Sequence, residues 1–147
     1  MQKPFVGLLA LLALCANALA GPREEALSVV ESWAKAFIES DVDGIVKLYA
    51  PDALFFGTGS KTLVTTPEGV RTYFEQALLT NRPKSAGLRE HSVVVVSDTT
   101  VVVAGLDAAG GVRDGKPYSA DGRVTVVVAK RPEGWRIVHF HRSATPN

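Results

Sequence analysis

The sequence predicts an α+β fold in which amino-terminal helices pack on a curved, mostly antiparallel sheet. Two observations carry this expectation. Apolar residues recur at helical spacing up to about residue 80, and from Gly87 onward the chain is a succession of β-branched runs separated by turn residues. Helices first and a meander last is the order of a helical layer laid on one face of a sheet. The composition fits one globular domain: of 147 residues, 46 % are hydrophobic and 21 % charged. That excludes collagen-like, disordered and disulfide-framework classes. Formal net charge is +1, with Lys and Arg scattered, so the sequence has no electrostatic footprint for nucleic acid and none is expected as a partner.

The first twenty residues stand apart. Lys3 precedes an apolar run from Phe5 to Ala16, and Ala18 and Ala20 are spaced as at a peptidase site. This is the pattern of a secretory signal peptide, and the run is shorter than the roughly 20 apolar residues of a membrane span. Residues 1–20 are therefore expected to be cleaved, leaving residues 21–147 as a single secreted or periplasmic domain with no membrane attachment. Cys15, the one cysteine, leaves with the signal. No thiol then remains for a disulfide, a nucleophile or a Cys-based zinc site.

The helices are read in order. Ala26, Val29, Val30, Trp33 and Phe37 share one face of an amphipathic helix from Pro22 to Ser40, closed by Asp41 to Gly44. Ile45, Val46, Leu48 and Tyr49 suit a second short helix that Pro51 ends. Ala53 to Gly57 reads as a strand, Gly57-Thr58-Gly59-Ser60 as a turn, and Lys61 to Thr65 as a weak strand. Thr66 caps a third helix with Pro67 at its first position, and Val70, Tyr73, Phe74, Ala77 and Leu78 carry it to about Thr80.

Four strands follow: Leu88 to Ser97, Thr100 to Ala109, Tyr118 to Lys130, and Trp135 to Ser143. Asp98-Thr99, Gly110-Gly111 and Arg131-Pro132-Glu133-Gly134 divide them. The valine runs 93–96, 101–103 and 126–128 are apolar at consecutive positions, whereas a half-solvated strand alternates. Helices can cover one face only, so a second copy is expected on the other, in a homodimer or a larger ring.

A helix lying over a curved sheet encloses a pocket suited to a small ligand. Arg123 and Arg142 stand on otherwise apolar strands, where a guanidinium is costly unless it pairs or binds an anion. They invite a small anionic partner, the alternative being that they lie at strand ends, reach water or pair with Glu75 or Asp121, and bind nothing. Strict alternation puts Arg136, Val138, Phe140 and Arg142 on one face of the last strand, with Trp135, Ile137, His139, His141 and Ser143 on the other. The His139 and His141 pair reads as structural or as part of an oligomer interface; no third ligand stands at a diagnostic spacing, so no metal is expected. No sequence pattern implies a cofactor. Acid–base chemistry has candidates in Asp107, Tyr49, Tyr73 and Asp121, none singled out by the sequence.

The stretch Val138-His139-Phe140-His141-Arg142-Ser143 resembles, over six consecutive residues, the closing strand of the association (hub) domain of calcium/calmodulin-dependent protein kinase II. Asp41-Val42-Asp43-Gly44 with Leu48 to Ala53 resembles the helical-hairpin segment of that domain and of SnoaL-like proteins; Tyr73-Phe74-Glu75 and Gly122-Arg123-Val124 are similar to segments of its third helix and penultimate strand. The resemblance runs from about Arg23 to Pro146. It implies the cone-shaped fold of the nuclear-transport-factor-2-like superfamily, with a sheet wrapped around a long helix and a pocket inside, which in the hub domain accepts small carboxylates. Two pocket arginines of the hub domain fall on Arg123 and Arg142; a third falls near Leu106, a histidine near Val70 and a tryptophan near Leu78. What the resemblance implies here is thus a greasier anion site, with Phe140, Tyr73 and Phe37 as apolar walls. The alternative it admits is an isomerase, dehydratase or cyclase of the SnoaL-like kind, acting by acid–base catalysis on a small organic substrate.

Overall fold

The computed structural model describes residues 20–146, so the expected export signal lies, but for Ala20, outside the described residues. Helix α1 (Pro22–Glu39) starts with Pro22 in its first turn and stops where Ser40 turns left-handed. Helix α2 (Val42–Lys47) is capped by the Asp41 carboxylate, which accepts from the Gly44 amide at 2.8 Å. It ends before Tyr49, earlier than its apolar spacing predicts. There Ile137 donates its amide to the Leu48 carbonyl at 2.8 Å, and the chain enters the sheet as strand β1 (Tyr49–Phe56). Residues 61–65 form no strand of their own; they touch β1 through the single bridge of Val64 to Phe55. Helix α3 (Pro67–Asn81) is capped by Thr66, whose hydroxyl accepts from Gly69.

The remaining chain is four long strands: β2 (Pro83–Ser97), β3 (Thr100–Arg113), β4 (Lys116–Arg131) and β5 (Gly134–Ala144). They form one sheet in the order β1-β5-β4-β3-β2, with β1 parallel to β5 and every other pair antiparallel. Gly110 and Gly111 do not end β3, as the sequence led us to expect. The β3–β4 ladder runs on to Arg113 opposite Lys116, and the chain reverses through Asp114 (φ 51°) and Gly115 (φ 74°). Two positive φ angles in a two-residue loop are what a tight hairpin with right-handed twist requires, and Asp-Gly supplies them.

Register sets the two faces. Val93, Val103, Val126, Phe140 and Phe55 form one transverse row on the inner face, where α1 and α3 lay Trp33 and Phe74 against it. The next row, Val94, Val102, Val127, His139 and Leu54, crosses all five strands on the outer face. Strict alternation on the last strand fails at one point. Val128 pairs with Ile137 and Val127 with His139, so Val138 is an extra residue, and Ile137 and Phe140 both turn inward. The helices cover the inner face alone; Val94 and Val96 on the outer face are 58 % and 62 % exposed. Among the described residues no helix is long and apolar enough to cross a membrane.

Candidate functional site

Between α1, α3 and the inner sheet face lies a cavity of about 470 Å³. Its depth is aromatic. Trp33 stacks at 5.1 Å on both Phe37 and Phe140, and Phe55 meets Tyr73 edge to face at 4.8 Å. Helical spacing brings Trp33 and Phe37 to one side of α1, and the β5 bulge turns Phe140 up beneath them. Phe37, Tyr73 and Phe140 thus all stand in the wall. The mouth is polar and carries Arg113, Arg142, Asn81 and Tyr118.

Arg142 is held at three points. Its Nε donates to Asp107 Oδ2 at 2.7 Å, Nη1 to Thr58 Oγ1 at 2.8 Å, and Nη2 to the Ala120 carbonyl at 3.2 Å. Both partners of the ion pair are largely buried, at 14 % and 13 % side-chain exposure. The pair passes over Gly122 on the intervening strand β4. A Cβ at Gly122 would collide with Asp107 Oδ1 and with the guanidinium, so the glycine makes the space the pair occupies. Asp107 Oδ1 is buried with no hydrogen-bond partner in the chain.

Arg123 is not in this site, which corrects the pairing of Arg123 with Arg142. Arg142 lies opposite Val124 in the β4–β5 ladder, and residues directly opposite share a face. One residue earlier, Arg123 lies opposite Ser143 and Leu106 and is exposed on the outer face. The second pocket arginine is Arg113. Its Nε donates to Asn81 Oδ1 at 2.8 Å, and its guanidinium sits 4.6 Å above the Tyr118 ring. It belongs to none of the ion pairs found among the described residues. The extension of β3 past Gly111 brings it there; the Asp114-Gly115 dipeptide was the signal that could have shown this.

The acid–base candidates are dispersed. Asp107 stands behind Arg142, and Asp121 is outside, 3.2 Å from Arg89. Tyr49 is buried, and its hydroxyl accepts from Trp33 Nε1 at 3.1 Å. Burial holds its phenol well above the usual value, against a smaller opposing effect of that hydrogen bond. Tyr73 closes the wall with its hydroxyl accepting from the Gly59 amide at 3.3 Å. His139 and His141 lie on the outer face, away from the cavity. Among the described residues no three His, Cys, Asp or Glu side chains are grouped to hold a metal ion.

Residues 26–147 match the family model of the SnoaL-like domain. The chain belongs to the SnoaL-like domain family. Its fold is nuclear-transport-factor-2-like, as a Salmonella enterica member of that superfamily shows at 19 % identity, TM-score 0.74, with 85 % of this chain and 92 % of that chain covered. A Xanthomonas campestris structure described as a calcium/calmodulin dependent protein kinase II association domain is 27 % identical. It has a TM-score of 0.78 over 88 % of this chain and 94 % of that one. The calcium/calmodulin-dependent protein kinase II hub of S. rosetta is 25 % identical, TM-score 0.72, over 86 % and 99 % of the two chains. These neighbours share the fold of this chain. No curated protein matches the chain.

Proposed function

We propose that this SnoaL-like domain is an exported, self-associating module whose cavity binds a small carboxylate-bearing molecule with an apolar body. The observation that carries it is Arg113, a cation at the mouth of an aromatic cavity, fixed by Asn81 and Tyr118 without a carboxylate partner. A guanidinium so placed offers its remaining N–H donors to a carboxylate, while the rings below take the apolar part. Arg142 adds a second donor group whose charge Asp107 already offsets.

Self-association is supported by the largely apolar outer row, of which Val94 and Leu54 are exposed in the single chain, and by the association-domain and hub neighbours. Export rests on the pattern of residues 1–20. A thermal-shift panel of small carboxylates against their uncharged amides tests the binding. Stabilisation by acids and not by amides is expected; no stabilisation by any acid refutes it.

A second reading, acid–base catalysis of the SnoaL-like kind, has one observation in its favour: the unpartnered Oδ1 of Asp107. A bound acid recovered chemically unchanged after prolonged incubation favours binding, and conversion favours the enzyme.

A further inference from the structure

The outer face of the sheet carries more than apolar surface. On its central row, crossing from β2 to β1, Val94, Val102 and Val127 are followed by His139 and then Leu54. The adjacent outer row holds Ser92, Ala104, Thr125, His141 and Phe56. The His141 ring lies 5.7 Å from that of Phe56. Two imidazoles, side by side on one strand, thus sit among valine, leucine, alanine and phenylalanine, with Thr125 opposite His141.

We propose that acid dissociates the self-associated protein, because the face a second copy covers holds His139 and His141 near its centre. This rests on the self-association proposed above. The face is large enough for that occupant. Five strands about 4.8 Å apart and the length of β3 from Thr100 to Ala108, about 27 Å, give roughly 650 Å², close to the about 800 Å² per partner of a stable interface. Isologous packing brings the same patch from both copies, and therefore four imidazoles, into one contact.

Neutral imidazoles are tolerated in such a contact, whereas their protonated forms must be desolvated beside like charges. The immediate neighbours of His139 are apolar. Around His139, β4 presents Val127, β1 presents Leu54, and β3 presents Val102 and Ala104. The charged groups on this face include Arg123 on β4 and Arg136 on β5, both cations, and Glu90 in the irregular stretch of β2 between Leu88 and His91; Asp52 is bonded to Arg131 and Asp121 to Arg89. Already in the single chain, desolvation and then the neighbouring His141 lower the tendency of His139 to take up a proton.

Sedimentation of the full chain at pH 7.5 and pH 5.0 tests this, with far-UV circular dichroism at both. Association at pH 7.5 that weakens at least tenfold at pH 5.0 with the fold retained is expected, and a His139→Gln, His141→Gln variant should associate equally at both. Undiminished association of the wild type at pH 5.0, an equal acid loss in the variant, or loss of the fold itself at pH 5.0 overturns the inference and leaves self-association standing. A monomer at pH 7.5 overturns both.

Discussion

Arg142 on β5 reaches across β4 to Asp107 on β3, and the 2.7 Å ion pair they form is seated on Gly122 of the strand between them. The pair ties three strands together at the inner face and, through Thr58, anchors the loop after β1 beside the cavity mouth.

Removing one charge of a mostly buried pair leaves the other uncompensated, which costs about 3 kcal/mol. Asp107→Asn should therefore lower unfolding stability by about that amount in urea titration, with the m-value unchanged. The Arg89 and Asp121 pair, both more than half exposed, supplies the contrast: Asp121→Asn should shift stability by about 0.5 kcal/mol or less.

Gly122→Ala places a methyl group where the pair now sits. Either the pair separates or the strands shift, and overpacking of this kind costs about 2 kcal/mol. Combined with Asp107→Ala, which empties part of the same space, the glycine substitution should cost less than it does alone. A double-mutant cycle reads that coupling.

Tyr49 and Trp33 meet in the aromatic core. Tyr49→Phe leaves the Trp33 N–H without its acceptor at a cost of about 1.5 kcal/mol. The phenol's raised pKa has a further consequence. Above pH 10 the unfolded chain loses this proton while the folded chain keeps it, so folding becomes less favourable as pH rises past 10. Alkaline difference spectroscopy should show the Tyr49 phenol ionising only with unfolding.

His139 gives the opposite limb. Its pKa lies below the ordinary 6.5, so between 6.5 and that lower value the unfolded chain takes up a proton that the folded chain refuses. Stability contributed by the neutral ring is full above pH 6.5 and declines as pH falls through that window. The Tm of His139→Gln should accordingly vary less over this range than that of the wild type.

Much of the fold was legible because it rests on local chemistry. Pro22, Asp41 and Thr66 mark helix starts, and the apolar spacing of Trp33 and Phe37 or Val70 and Phe74 names the buried faces. The site was legible where it depends on a side chain's own strand, as for Phe140 and Arg142, and misplaced where it depends on register. Whether Arg123 shares a face with Arg142 is decided by the alignment of two strands, which Val138 alters by one residue. Parity along either strand alone carries no such information. Arg113 was overlooked because Gly110-Gly111 reads as a break, whereas in the sheet these glycines face Ser119 and Tyr118 and the ladder continues.

The central claim is that Arg113 reads a carboxylate above an aromatic cavity, and calorimetric titration with phenylacetate tests it most directly. Wild type should bind phenylacetate and not phenylacetamide, and Arg113→Gln, which leaves the ion pair of Arg142 intact, should weaken binding at least tenfold. Equal affinity of wild type and Arg113→Gln for phenylacetate, or equal affinity of wild type for the acid and the amide, would contradict it.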